Sequence, residues 1–148
     1  MDFVHEVTAY LENKPGRLAK ICSSLAHEKI NIQALSVMDT PDRSVLRLVT
    51  DELDATRRVL TSLGTECEVH DVLAVEMENR PGALARVLET LALEHINVEY
   101  AYVAAGSVPG KCLGLFHTTN PKRAQKILSE PSTNGQDRGA ERRPLHSR

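Results

Sequence analysis

Apolar residues follow two different periods along the chain. From Phe3 to Leu11 apolar and polar positions alternate, which predicts a strand with one buried face. From Leu18 the spacing lengthens to i, i+3, i+4, i+7, and this predicts an amphipathic helix. Two β-rich runs follow, "NIQALSVMD" and "SVLRLVT", with turn residues at 40–42 between them, and they predict a hairpin. A second helix is expected at about 52–63, ended by Gly64, and "ECEVH" is expected to form a short last strand.

The same pattern occurs twice. Sliding the sequence by 66 positions places "ENKPGRLAKICSSLA" from Glu12 on "ENRPGALARVLETLA" from Glu78, and 11 of the 22 positions from Leu11 to Ile32 are identical. Unrelated segments of that length share about one or two residues. The chain is therefore an internal duplication.

Each copy predicts the order β-α-β-β-α-β, which forms a ferredoxin-like sandwich of an antiparallel sheet and two helices. We expect a first module at 1–69 and a second at 70–130, in a fixed relation because no linker separates them. The second copy has a helix at about 122–130 but no apolar run for a last strand. We expect the residues beyond, 131–148, to form a disordered tail, because they are nearly devoid of apolar side chains. The missing strand predicts an open sheet edge that a second chain covers, and hence a homodimer.

Composition excludes several classes of function. The 148 residues carry a formal net charge of −2 and 3% aromatic residues, which argues against nucleic-acid binding. Three widely spaced cysteines suit reduced thiols in a cytoplasmic protein rather than a disulfide framework. No leader or membrane-spanning run is apparent, so no membrane partner is expected. The six histidines lack metal-ligand spacing and no nucleophile and base stand out, so we expect neither a cofactor or metal nor catalysis.

The Pro-Gly dipeptide opens a helix in both copies. Proline suits the first helical position, which would place Lys14 and Arg80 near the N-cap. The next amides would then lack partners and form a weak anion site, which contributes roughly 0.3–1 kcal/mol from the helix dipole. An ordinary strand-to-helix connector is the competing interpretation, but the recurrence of two asparagines around each Pro-Gly favours a ligand site.

Those asparagines are too far apart to share a ligand within one copy. Asn13 and Asn31 flank a helix of about fifteen residues, which separates them by roughly 20 Å. If the two copies pack about a pseudo-two-fold axis, the helix start of one meets the strand start of the other. The expected sites then combine Asn13 with Asn97, and Asn79 with Asn31.

The pattern Asn-x-Pro-Gly-x-Leu-Ala, followed by "LAHEKINI" or "LALEHINV", resembles the ACT domain, a regulatory module that usually binds amino acids. The resemblance covers about residues 3–130 in two tandem copies. In the serine-sensing ACT domain of phosphoglycerate dehydrogenase both asparagine positions contact the ligand across a module interface. A ligand-contacting histidine of that domain corresponds here to Leu11 and Met77, which implies a more apolar amino acid than serine. The implied ligand-binding residues are Asn13, Pro15, Gly16, Arg17, Leu18, Asn31, Asn79, Pro81, Gly82, Ala83, Leu84 and Asn97, with Leu11 and Met77 beside them.

We therefore predict a non-catalytic regulatory protein that binds an amino acid at module interfaces. The alternative is a regulatory subunit that acts on a partner enzyme of amino-acid metabolism, similar to the small subunit of acetolactate synthase. That subunit has one such module and an unlike second domain, so the second Pro-Gly copy counts against it. A catalytic ferredoxin-like enzyme is the third class.

Overall fold

The computed structural model of the protein describes residues 1–130, and the tail expected at 131–148 lies outside the described residues. No helix of the described part is long and apolar enough to cross a membrane. The elements are β1 (Asp2–Leu11), α1 (Arg17–His27), β2 (Ile32–Asp39), β3 (Ser44–Thr50), α2 (Leu53–Ser62), β4 (Cys67–Glu78), α3 (Ala83–Leu93), β5 (Val98–Ala105), β6 (Lys111–Thr118) and α4 (Pro121–Ser129).

The six strands of the described part form one antiparallel sheet in the order β2-β3-β1-β4-β6-β5. The expected α+β fold with a duplicated ferredoxin-like order is confirmed. Helix α2 lies within a residue of its predicted bounds at both ends, and α4 begins and ends one residue earlier than predicted. Helix α1 begins at Arg17, two residues later than a proline at the first helical position requires.

Strand β4 belongs to both copies. Its twelve residues run without interruption from Cys67 to Glu78, so the boundary expected between residues 69 and 70 falls inside a strand. The N-terminal part of β4 pairs with β1, and the C-terminal part pairs with β6. The two copies thus share a continuous sheet, which accounts for their fixed relation.

Strand β1 fills the place beside β4 that a last strand of the second copy would take. It pairs with β4 over eight residues, from Asp2 opposite Ala74 to Ala9 opposite Cys67, and so borders the second copy with its N-terminal half. The open edge predicted beside β4 therefore does not exist, and that prediction is wrong. The edges of the sheet are β2 and β5, so the expected homodimer loses this argument and stays a prediction.

The pseudo-two-fold axis of the duplication passes through one cross-strand pair. His5 faces Asp71, and these two residues occupy the same position in the two copies. The His5 Nδ1 atom lies 2.7 Å from the Asp71 Oδ1 atom, at an exposed site.

The helices cover one face of the sheet and form a separate core over each copy. In the first core, α1 and α2 bury aliphatic residues of β1 and β3, including Ala9, Leu46 and Leu48. In the second core, α3 and α4 cover β4 and β6, including Leu73 and Phe116.

The opposite face of the sheet, here called the inner face, is also buried. The sheet curls until Cα atoms of the edge strands β2 and β5 lie within 8 Å of each other. Ala34 and Val49 from the first copy then pack with Val72 and Leu115 from the second. Burial on both faces explains why polar positions of β1 such as Glu6 and Thr8 are hidden from solvent.

Candidate functional site

Each Pro-Gly dipeptide forms a type II β-turn that leads into a helix. Gly16 has φ 83° and ψ −6°, Gly82 has φ 88° and ψ −14°, and these are the values of the third residue of such a turn. The Arg17 amide donates to the Lys14 carbonyl at 3.3 Å, and the Ala83 amide donates to the Arg80 carbonyl at 3.3 Å. The prediction of proline at the first helical position is therefore wrong.

This turn changes the expected anion site. The glycine is the N-cap, and the amide of the first helical residue is already bonded within the turn. The glycine is required by its positive φ, because residues with a Cβ seldom adopt that conformation. The space in front of it is nonetheless open, since a Cβ built on Gly16 or Gly82 would meet no atom within 4 Å.

The four asparagines lie at exposed positions. Asn31 and Asn97 precede β2 and β5. Their backbone N–H groups donate to the side chains of Asp51 at 3.0 Å and of Thr119 at 3.2 Å, respectively. Asn79 follows β4, where its amide donates to the Gly110 carbonyl at 2.9 Å. Asn13 lies between the end of β1 and the first turn.

The strand register separates the predicted asparagine pairs within one chain. Val98 pairs with Thr118, and the register carried through β6 and β4 places Asn97 beside the middle of β1. Asn13 lies beyond the end of β1, about seven residues or roughly 20 Å along the strand direction. The pairing of Asn13 with Asn97 therefore stays a prediction that requires a second chain. The same reasoning applies to Asn79 and Asn31.

The other predicted residues divide between core and surface. Leu11 and Met77 are 3% and 6% exposed and belong to the two helix-side cores. Leu18 and Ala83 are partly buried against those cores. Leu84 is 39% exposed, and Pro15 and Pro81 are exposed turn residues.

A cavity of about 270 Å³ lies at the first Pro-Gly turn, between the ends of β1 and α2 and the β2–β3 connection. It will be called the first-turn cavity. Two cations and three carboxylates surround it, together with Tyr10, Leu11 and Gly64; the charged residues are Arg17, Arg43, Glu12, Asp42 and Glu66. Leu11 and Arg17 are the predicted site residues that it contains.

Arg17 is held in place by the end of α2. Its Nη2 atom donates to the Leu63 carbonyl at 3.0 Å and to the Thr65 hydroxyl at 3.0 Å. A guanidinium at the carbonyl end of a helix satisfies otherwise unbonded oxygens. The Arg17 Nε atom is buried and has no partner within residues 1–130. Arg17 therefore has both a structural bond and an unused donor.

Arg43 and Tyr10 were missed by the sequence reasoning. The Arg43 guanidinium carbon lies 3.8 Å from the centroid of the Tyr10 ring, a cation–π contact. Arg43 belongs to the β2–β3 connection, and Tyr10 pairs with Val45 two residues later. The hairpin was predicted, but its register against β1 had no signal in the sequence.

The corresponding corner of the second copy is different. Ala83 replaces Arg17, and by strand register Glu76 replaces Tyr10 and Lys111 replaces Arg43. Lys111 forms an ion pair with Glu78. The hydrogen bond between these two side chains lowers the pKa of the Glu78 carboxyl and raises the pKa of the Lys111 ammonium. The cation of the second corner is therefore already engaged.

A second depression, of about 340 Å³, lies between α1 and α2. Polar side chains such as Lys20, Ser23 and His27 line it, away from the Pro-Gly turns. The Ser24 hydroxyl donates to the Lys20 carbonyl at 2.8 Å, as expected for a serine on a helix surface. This groove is larger, but its lining includes only one cation that is permanently charged, Lys20, and one carboxylate, Glu28, against the two cations and three carboxylates of the first-turn cavity.

Comparisons with known proteins identify this architecture. A family model described as an ACT domain pair matches residues 2–134. Protein BT0572 from Bacteroides thetaiotaomicron is 28% identical, with 85% of this chain and 86% of that chain covered and a TM-score of 0.78. The regulatory subunit of aspartate kinase from Thermus thermophilus, in its ligand-free form, is 16% identical, with 86% and 91% covered and a TM-score of 0.65. The corresponding subunit from Thermus flavus is 16% identical, with 86% and 92% covered and a TM-score of 0.62. The two subunits share the fold. A comparison with curated protein sequences gives no significant match.

Proposed function

The chain belongs to the ACT domain pair family, and from that premise we propose that it is a non-catalytic regulatory protein that binds a free amino acid. The first-turn cavity is the observation that carries this proposal. A zwitterion presents a carboxylate and an ammonium group a few ångströms apart, so its site needs cations and anions side by side. Arg17 and Arg43 supply the cations, and Asp42 and Glu66 supply the anions. The third carboxylate, Glu12, is paired with Lys14 at 2.9 Å.

The size of the cavity supports a small ligand. At about 270 Å³ it lies just below the usual range of ligand pockets, roughly 300–1,000 Å³. Leu11 and the Tyr10 ring add apolar surface beside the charges. An amino acid with a modest apolar side chain matches this combination better than a nucleotide or a sugar.

The difference between the two corners supports unequal sites. In the second copy the equivalent of Arg17 is alanine, and Lys111 is paired with Glu78. We propose that the first corner is the primary site. The asparagines, including Asn13 and Asn97, would orient a ligand only where a second chain brings them together.

Thermal unfolding with each of the twenty amino acids tests this function. A ligand present at about 100 times its Kd should stabilise the protein by roughly 2.7 kcal/mol. Arg43→Ala should abolish the shift without unfolding the protein, because Arg43 is an exposed residue of a turn. Lys111→Ala is the matched control, since it removes the corresponding cation of the second copy, and it should preserve the shift.

The remaining outcomes separate the alternatives. If none of the twenty amino acids shifts the transition, the free-standing amino-acid sensor is wrong. A shift that is lost equally in Arg43→Ala and Lys111→Ala would contradict the unequal corners. Loss of the shift in Asn13→Ala, together with a second-order dependence on protein concentration, would place the site between chains.

Regulation requires that the ligand favour one packing arrangement over another. A free-standing regulator would change its own association or its affinity for a target. A dedicated enzyme subunit, the alternative, would co-purify with an enzyme of amino-acid metabolism. Affinity purification of the tagged full chain, with and without the amino acid that shifts its unfolding, distinguishes these two roles.

A further inference from the structure

A buried carboxylate links the first copy to the edge strand of the second. The Glu6 side chain is fully buried on the inner face. It accepts hydrogen bonds from the hydroxyls of Tyr100 and of Tyr102, the latter at 2.7 Å, and from Thr8 at 3.3 Å. The Arg47 Nε atom lies 3.9 Å from the Glu6 Oε1 atom, too far for a hydrogen bond. These five residues form the Glu6 network.

The Tyr100 ring of the network also packs between two neighbouring side chains. The Arg47 guanidinium carbon lies 3.8 Å from the centroid of the Tyr100 ring. On β6, His117 stacks on Tyr100 with ring centroids 4.8 Å apart. Burial, followed by the hydrogen bonds to Glu6, raises the pKa of Tyr100 and of Tyr102, so both hydroxyls remain donors.

Within residues 1–130 the duplication has no second network of this kind. The strand register aligns the copies with an offset of 66 residues between β2 and β5 and of 68 residues between β3 and β6. All five positions of the network hold small or aliphatic residues in the other half of the inner face. The equivalents of Glu6, Thr8, Arg47, Tyr100 and Tyr102 are Val72, Ala74, Leu115, Ala34 and Ser36.

This asymmetry distinguishes two kinds of pairing. A first copy paired with a second copy is here called an unlike pair, and two first copies or two second copies form a like pair. If the first copy paired with the first copy of another chain, Glu6 would face Ala34 and Ser36 and lose both tyrosine donors. If two second copies paired, the Tyr100 and Tyr102 hydroxyls would face Val72 and lack an acceptor. A buried charge or hydroxyl without partners is costly, whereas the unlike pair gives Glu6 both tyrosine donors and gives each tyrosine hydroxyl an acceptor.

We infer that the Glu6 network is a recognition device that makes the inner face of the first copy fit the second copy and reject a second copy of itself. A single buried polar group can specify a pairing in this way in other assemblies. The network therefore disfavours a homodimer in which two first copies or two second copies meet through their inner faces.

The pseudo-two-fold axis provides a direct test. In the unlike pair residue 5 faces residue 71, whereas in like pairs residue 5 faces residue 5 of another chain and residue 71 faces residue 71. We would therefore introduce His5→Cys and Asp71→Cys into the full chain, with Cys22, Cys67 and Cys112 replaced by serine. Facing positions of antiparallel strands lie within disulfide reach, and both native side chains are exposed. The protein is unfolded, refolded at high concentration and oxidised.

The intact network should give disulfides between residue 5 and residue 71. Tyr100→Phe/Tyr102→Phe keeps the rings and removes the donors, and it should raise the fraction of chains linked through residue 5 to residue 5 or through residue 71 to residue 71 about tenfold, equivalent to about 1.4 kcal/mol in pairing preference. Glu6→Val should do the same, even if it leaves stability unchanged, because aliphatic replacements of buried charges are often tolerated. Ser36→Ala, the matched removal of a hydroxyl from the other half, should leave the fraction unchanged.

Two results would overturn the inference. One is an equal fraction of 5–5 and 71–71 disulfides in all folded variants, with folding verified by circular dichroism. The other is a loss of stability in the tyrosine variant with no change in which cysteines join, since that pattern identifies the network as a structural contact only. Peptide mapping of the disulfides distinguishes residue 5 joined to residue 5 from any other link.

Discussion

Gly114 permits a large aromatic ring in the second helix-side core. A Cβ at this position would lie 2.5 Å from Cε2 and 2.8 Å from Cζ of Phe116, and 3.0 Å from the Met77 methyl carbon. In the first copy the equivalent residues are Leu46 and Leu48, both fully buried. The pair Gly-Phe thus fills the volume that Leu-Leu fills in the first copy.

We predict that Gly114→Ala destabilises the protein by about 2 kcal/mol, because adding one methyl group to a packed core typically costs 1–3 kcal/mol. The Phe116 ring has little room to move, since the residue is only 1% exposed. For a chain of this length the melting temperature should fall by roughly 4–8 °C. The cost arises from the clash, since Gly114 does not have a positive φ.

A double-mutant cycle measures whether the ring is the cause. Phe116→Leu alone should cost about 1–2 kcal/mol through lost burial. The double variant Gly114→Ala/Phe116→Leu should cost less than the sum of the two single changes by about 1–2 kcal/mol, because the clash disappears. Urea unfolding of the four proteins, compared at equal m-values, gives the coupling energy.

Gly106→Ala is the control for this cycle. A Cβ there would lie 2.5 Å from the Lys111 carbonyl oxygen, which is backbone and lies outside the core. It should also destabilise the protein, but Phe116→Leu should not reduce its cost. Additive effects of Gly114→Ala and Phe116→Leu would refute the argument that the glycine exists to accommodate the ring.

Three further predictions concern the turns, the shared strand and the buried hydroxyls. Gly16→Ala and Gly82→Ala should each cost about 1 kcal/mol in urea unfolding, because both sites have open space but a positive φ, and a negligible cost would contradict the type II turn. Phe3→Ala should lower hydrogen-exchange protection in α3 and α4 more than in α1 and α2, because Phe3 packs in the second core although it belongs to the first copy; equal losses would argue against a shared strand. The free energy of unfolding should fall as pH rises above about 10, the pKa of a free tyrosine. The raised pKa of Tyr100 and Tyr102 keeps both hydroxyls protonated in the folded state, whereas they ionise in the unfolded state. Tyr100→Phe/Tyr102→Phe should flatten this pH dependence in urea titrations.

The sequence predicted the elements because their periodicity is strong. The helix-side residues of β1 and α1, such as Ala9 and Leu25, lie in the core that the pattern indicated. The conformation of the turns that lead into the helices was harder to predict. Asn120 caps α4 by accepting from the Arg123 amide, and Pro121 occupies the first helical position as that reasoning requires. At Pro15 the following glycine selects a β-turn instead, and the Pro-Gly pair itself was the available signal.

Glu6 shows why the inner face was not predicted. An alternating strand is ordinarily solvated on its polar face, so Glu6 and Thr8 read as surface positions. They are buried because the sheet curls on itself, which depends on contacts between residues more than ninety positions apart in sequence. Local patterns carry no information about such contacts. Only part of the first-turn cavity was predicted, for the same reason. Arg43 lies beside this cavity because of the register of β3 against β1, which the sequence did not indicate.

The burial of Glu6 by both copies has a consequence for synthesis. The β4 partners of residues 2–5 directly follow the last residues of the first copy, whereas the tyrosines that bind Glu6 come about thirty residues later along the chain. Domains fold as their sequence emerges, at about 5–20 residues per second, so the first copy is complete for about 1.5–6 seconds before Tyr100 and Tyr102 are made. During that interval Glu6 has no tyrosine donor, and the inner face of the first copy closes only when the edge strand of the second copy arrives.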